Sequence, residues 1–189
     1  SIKKQIGNAV SPFMGAYISK KLNGKTCGDI FAGCGGFTAG LHKNKIISKW
    51  AIEWEDLPSR TFKLNFPDTK VLCANIKKVN PLDLEQVDII VGGPPCQGFS
   101  NAGSEKRSNK QRFIEDPRNE LYKEFVRFVK YLQPKEFIME NVKEIEQFKS
   151  EIVKDFNLVG YNVECVLLRG NDIGMKQNRK RFFFIGTLK

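Results

Sequence analysis

The chain has 189 residues, 41% of them hydrophobic, enough for one α/β domain with a core but not for two large ones. Lys and Arg number 31 against 21 Asp and Glu, and this charge of +10 is the surplus expected of a protein that meets a polyanion. The five cysteines, an odd number with no Cys-x-x-Cys spacing, and the lone His42 exclude a disulfide framework, a zinc cluster and a multi-histidine metal site.

In chain order, Ser11 suits an N-cap and Pro12 the first helical position, so a helix is expected to run to about Leu22 and stop at Asn23-Gly24. Residues 26–44, TCGDIFAGCGGFTAGLHKN, read as strand, glycine turn and helix. Their glycines let backbone approach a ligand, although the string is not a strict GxGxxG fingerprint. KWAIEW, residues 49–54, makes a second strand that ends in Glu53-Trp54. An acid there can accept both ribose hydroxyls of a nucleoside, and the tryptophan can stack on its base. A helix from about Pro58 to Asn65 and a third strand near Val71 follow.

Val87, Ile89, Ile90 and Val91 read as a buried strand of a parallel sheet. The run breaks at Gly92-Gly93-Pro94-Pro95, so the chain leaves the sheet at the strand's C-terminal end, where open α/β sheets bind ligands. Cys96 comes next, on a turn rather than in a core strand, where its thiol is placed to act as a nucleophile. Residues 100–118 are polar, basic and without periodicity, and read as a loop that closes over a phosphate backbone. A helix then runs to about Leu132, with Phe125, Phe128, Val129 and Leu132 on its core face. EFIMENV, residues 136–142, is a strand, and a helix is expected from about Gln147 to Leu158. Residues 161–168 and 181–185 make the last two strands, with the cations Arg179, Lys180 and Arg181 at their junction. Seven strands with intervening helices describe one domain over residues 1–189, an α/β doubly wound, mostly parallel, seven-stranded sheet of Rossmann-like type.

PPCQGFS, residues 94–100, resembles the nucleophile motif of the C5-cytosine DNA methyltransferases, and segments between residues 5 and 186 match further motifs of that family. The resemblance implies the sheet of S-adenosylmethionine-dependent methyltransferases, with Cys96 as nucleophile and Gly93 and Pro95 at the cofactor. DIFAGCGG resembles the cofactor motif, which implies that Phe31, Ala32, Gly33, Cys34, Gly35 and Gly36 surround the methionine half of S-adenosylmethionine. By the same resemblance Glu53 and Trp54 hold its ribose and adenine, and Leu121 forms a pocket wall. Asn75-Ile76 stands where the family usually carries Asp-Ile, so a weaker cofactor contact is expected. QIGNAVSP resembles the family's last motif, normally C-terminal, which implies that Asn8, Ala9 and Val10 line the cofactor pocket and that the chain is circularly permuted. Glu140 of ENV is the implied catalytic glutamate. QNRKR resembles the family's Gln-x-Arg-x-Arg motif, with Arg179 and Arg181 placed to hold cytosine O2 and the adjoining phosphate; Lys176 replaces the usual proline before Gln177. Gln97, Ser100, Lys106, Arg107, Arg118 and Gln177 are implied to touch DNA.

The resemblance thus implies methyl transfer from S-adenosylmethionine to C5 of cytosine in double-stranded DNA, by thiolate addition at C6 of a flipped base. The product would be S-adenosylhomocysteine. No metal and no membrane is expected, and the expected setting is a restriction-modification system in a bacterial cytoplasm. The target-recognition region that follows Gln-x-Arg-x-Arg in the family has no counterpart here. A split enzyme is therefore expected, with a second polypeptide supplying that region. One rival is a transfer-RNA methyltransferase of the same fold. Another is a non-catalytic subunit, which should have lost Cys96, Glu140 or the arginines. A nicotinamide oxidoreductase would leave PPCQ, ENV and QNRKR without a role.

Overall fold

The structure, a computed structural model, describes residues 9–95 and 120–189. Its seven strands are β1 (Thr26–Ile30), β2 (Ile47–Glu53), β3 (Lys70–Cys73), β4 (Ile89–Gly92), β5 (Glu136–Val142), β6 (Tyr161–Arg169) and β7 (Lys180–Leu188). They form one sheet in the order β3-β2-β1-β4-β5-β7-β6. The first five are parallel, and β7 inserts antiparallel between β5 and β6. The order reverses between β1 and β4, which opens a crevice at their C-terminal ends.

Five helices cover the faces: α1 (Pro12–Ser19), α2 (Gly36–Lys43), α3 (Asp56–Asn65), α4 (Glu120–Leu132) and α5 (Lys149–Leu158). Side-chain alternation explains why strands that read as unbroken apolar runs are buried on both sides. Ile89 and Val91 of β4 pack with Met14 and Leu41 of α1 and α2, while Ile90 between them joins Phe125 and Phe156 of α4 and α5. On β7, Phe183 faces the first layer and Phe182 and Phe184 the second. Phe137 of β5 stacks on Phe156 with ring centroids 4.2 Å apart, at the centre of the larger cluster.

Some boundaries depart from the sequence reading. The first helix ends at Ser19, and the chain reaches Leu22 through i to i+3 bonds such as Leu22 N–H to the Ser19 carbonyl at 3.1 Å. Ser11 makes no side-chain cap; its hydroxyl faces the Met175 sulfur at 3.8 Å. The helix α3 starts at Asp56 and takes Pro58 into its first turn. Lys143–Phe148 is a 3₁₀ segment, so α5 begins at Lys149. The α1–β1 connection is pinned beneath the sheet: the Glu136 carboxylate accepts the Asn23 and Gly24 amides at 2.9 and 3.0 Å, and Asp88 accepts those of Lys25 and Thr26 at 2.9 and 3.2 Å.

Candidate active site

At the end of β1 the backbone turns sharply. Phe31 has φ 58°, a left-handed conformation that side chains rarely adopt, and Gly33 and Gly35 follow at 54° and 89°. The turn closes with the Gly35 amide on the Ala32 carbonyl at 3.0 Å, and α2 starts at Gly36. Gly33 faces open space: a Cβ there would meet nothing within 4 Å. Gly36 lies flat against the N-terminal segment, where an added Cβ would fall 2.2 Å from the Val10 carbonyl oxygen. Ala32 and Gly35 are buried and Cys34 is half-buried.

Glu53 ends β2 beside this turn and is buried. Its Oε2 accepts the Gly33 amide at 2.8 Å, and its Oε1 accepts those of Trp54 and Glu55, both at 2.9 Å. Three amides fix the carboxylate: two of them fill Oε1, and Oε2 keeps one lone pair for a hydroxyl. The Trp54 side chain next to it is 70% exposed, a large ring with one face for a stacking partner. These features fit the nucleoside half of S-adenosylmethionine. Asn75 contributes less than its position promises. Its Oδ1 caps the 3₁₀ turn Ile76–Lys78 by accepting the Lys77 amide at 3.0 Å, which commits one of its two lone pairs. Ile76 is buried in the larger core cluster, and half-buried Leu121 packs against the same cluster.

Glu140, near the end of β5, is 7% exposed. Arg181 at the start of β7 places Nε 2.7 Å from Glu140 Oε1, an ion pair that leaves this oxygen without an aligned hydrogen bond among the described residues. Burial pushes the Glu140 carboxyl up to about 6, while Arg181 and Arg179 pull it down. Arg179 donates from Nη2 to the Ala9 carbonyl at 2.7 Å. The turn that follows β4 touches the same carboxylate. A Cβ added at Gly93 would lie 3.0 Å from Glu140 Oε2 and 3.5 Å from Val10 Cγ2. Asn141 then clamps this turn: its Nδ2 donates to the Pro94 carbonyl at 3.1 Å and its Oδ1 accepts the Val142 amide at 2.8 Å. Pro95 is exposed, and the chain passes from it to residue 96.

Two groups of residues expected from the sequence therefore share one edge of the sheet, and Ala9 and Val10 lie between them, touching the glycine turn, Gly93 and Arg179. Gln177 is exposed, and its carbonyl oxygen would be 2.2 Å from a Cβ added at Gly170. Asn8, Cys96, Gln97, Ser100, Lys106, Arg107 and Arg118 lie outside the described residues. Among the described residues no cluster of His, Cys, Asp and Glu could hold a metal, and no helix is long and apolar enough to cross a membrane. Two residues of the site escaped the sequence reading. Asn141 stood inside the quoted ENV string, and its only signal was its place beside Glu140. Asp29, buried in β1, accepts the Thr38 hydroxyl at 2.7 Å, and burial pushes its carboxyl up to about 7. Its signal was an acid inside an apolar strand.

The family model for C-5 cytosine-specific DNA methylase matches residues 25–189. Type II methyltransferase M1.HphI of Haemophilus parahaemolyticus is 40% identical over 84% of this chain and 44% of its own length. Type II methyltransferase M.DdeI of Desulfomicrobium norvegicum is 42% identical over 84% of this chain and 39% of its own. A crystal structure of a DNA modification methyltransferase encoded within an Escherichia coli prophage shares the fold at a TM-score of 0.72 and 32% identity, over 86% of this chain and 46% of that one. The chain spans less than half the length of these relatives.

Proposed function

We propose a function from a single premise, that the chain belongs to the C-5 cytosine-specific DNA methylase family. Residues 1–189 carry the cofactor and catalytic machinery of a restriction-modification methyltransferase, acting in the bacterial cytoplasm on C5 of cytosine in double-stranded DNA. Target recognition comes from a second polypeptide, and the N-terminal segment holds the place of a permuted C-terminal motif. The observation that carries the reading is the convergence on Glu140. A buried carboxyl flanked by Arg181 and Arg179 is in contact with the turn that leads into Cys96.

S-adenosylmethionine, when bound, supplies an electrophilic methyl group on a sulfonium. Glu53 Oε2 would accept a ribose hydroxyl and Trp54 would cover the adenine, while the Phe31–Gly36 turn would give the methionine end close access to backbone. The Cys96 thiolate would add to C6 of the flipped cytosine and so make C5 nucleophilic toward the donor's methyl group, whose bond to the sulfonium would break, its electron pair staying on sulfur, as the bond to C5 forms. Loss of the C5 proton to a base then breaks the S–C6 bond and restores the thiolate. Glu140, with its pKa near neutrality, donates to N3 and offsets the charge that the addition places on the ring. Arg179 and Arg181 hold O2 and the adjoining phosphate, and Lys106, Arg107 and Arg118 hold the backbone.

The test is covalent trapping on DNA that contains 5-fluorocytosine, because fluorine at C5 blocks the elimination. With the partner polypeptide and cofactor present, an adduct at Cys96 is expected. An adduct formed equally well without the partner would overturn the two-polypeptide reading. An adduct on RNA alone would overturn the choice of DNA, and the absence of any adduct would overturn the catalytic reading.

A further inference from the structure

The α1–β1 and α2–β2 connections line an open cleft of about 280 Å³ at the N-terminal edge of the sheet, opposite the strand ends that carry Glu53 and Glu140. Lys20, Lys25, Lys43 and Lys45 surround it, Leu22 and Ile46 add apolar surface, and no acid lines it. The charge is uneven along the chain as well. Residues 1–52 hold eight lysines and one acid, the buried Asp29. Lysines elsewhere on this side are matched: Lys21 with Glu164 at 2.8 Å, Lys49 with Glu85 at 3.3 Å and Lys135 with Asp88 at 2.8 Å. Among the described residues no carboxylate pairs with any of the four cleft lysines. Like charges gathered around one cleft repel each other; Lys43 offsets part of this through the Phe13 ring, 4.7 Å from its Nζ.

Lys45 gives a second, independent sign. It has φ 62° and sits where α2 ends. The Ile46 amide bonds to the Leu41 carbonyl at 3.2 Å and the Lys45 amide to that of His42 at 3.0 Å, the paired bonds of a Schellman motif. Lys45 therefore occupies the left-handed position that glycine takes without cost. Gln133 also has a positive φ after a helix, but its side-chain amide donates to carbonyls of the same turn, Lys130 at 3.1 Å among them. No such bond from the Lys45 side chain occurs among the described residues. Its strained backbone serves to hold a cation at the cleft.

We infer that this cleft is a second DNA contact, which holds backbone phosphates of a duplex segment away from the edge where the target base reacts. Four cations from two loops around an open cleft suit phosphates spaced along a strand better than one enclosed small anion. The inference rests on the reading above only for the choice of DNA as the polyphosphate. Its test uses no cofactor and no cytosine, so a failure of methyl transfer does not affect it.

The measurement is binding of an alternating A·T duplex over a range of salt concentrations, with the whole chain and two variants. In K20Q/K25Q/K43Q/K45Q the slope of log affinity against log salt is expected to be shallower by about 3.6, since each of the four phosphate contacts contributes about 0.9. In K45G the melting temperature is expected to rise while duplex affinity falls several-fold. An unchanged slope in the fourfold variant would overturn the inference. So would K45G binding the duplex as the parent does. Inorganic phosphate shielding these lysines from acetylation as fully as the duplex would reassign the cleft to a small anion and equally overturn it.

Discussion

At Glu140 burial and two arginines act in opposite senses, and burial wins: the carboxyl is pushed from 4.5 up to about 6. An acid whose pKa is raised by folding adds stability only while protonated. Its contribution is complete below about pH 4.5 and lost as the pH rises through 6, a change of about 2 kcal/mol. Glu140→Gln keeps the shape and removes the titration, so the dependence of melting temperature on pH should flatten between 4.5 and 6. The same variant should lose about 10²- to 10⁴-fold in single-turnover methyl transfer, since the amide donates to N3 without moving a proton. Asp29 has the same sign at higher pH. Burial raises it from 3.8 to about 7, against the Thr38 hydroxyl that bonds its charged form. Asp29→Asn can still accept that hydroxyl. It should melt above the parent at pH 8, with the gap narrowing as the pH falls through 7 and closing only below 3.8, and scanning calorimetry should show a clearly smaller gap at pH 5 than at pH 8.

At the scale of elements, the turn between β4 and residue 96 has its position set from β5. Asn141 is 3% exposed and serves both the Pro94 carbonyl and the Val142 amide. Asn141→Ala should cost about 1–3 kcal/mol of stability, the penalty of leaving buried groups unpaired. It should also slow trapping at Cys96 while leaving S-adenosylmethionine affinity within a few-fold, because Glu53 and the glycine turn are not involved. Equal trapping rates in the two proteins would rule out the clamp. Contacts of this kind mark the limit of what could be read from sequence. The strand Glu136–Val142 was legible from end to end, because apolar residues on both faces leave no other reading of EFIMENV. The β1–α2 turn was legible through its glycines. The first helix ends at Ser19 because the amides of Lys20, Lys21 and Leu22 tighten to i−3 carbonyls, a change that the residue types there do not announce. Asn75, expected to make a weakened cofactor contact, also caps its own turn, a local hydrogen bond that takes one lone pair of the same oxygen. The bond from Arg179 to the Ala9 carbonyl joins residues 170 positions apart, and no periodicity carries that information.

For the whole molecule, the proposed reading places the chemistry at the C-terminal edge of the sheet. The C-terminal edge gathers Glu53, Trp54, Glu140 and the arginines, and every described residue proposed for the cofactor belongs to this one chain. Cofactor binding should therefore be complete without a partner. Reading a target sequence demands side chains that reach base edges in the major groove, and the proposal assigns these to a second polypeptide. The two requirements separate in one experiment. Calorimetric titration of the chain with S-adenosylmethionine should give the same affinity, within about threefold, with and without the recognition polypeptide, a difference of less than 1 kcal/mol. The specificity constant for a target duplex over a scrambled one should rise by at least about 10³-fold on adding that polypeptide, the lower end of the range separating specific from non-specific DNA binding. A cofactor affinity that depends on the partner would mean that the pocket is completed across the interface, and the division of labour between the two proteins would have to be redrawn.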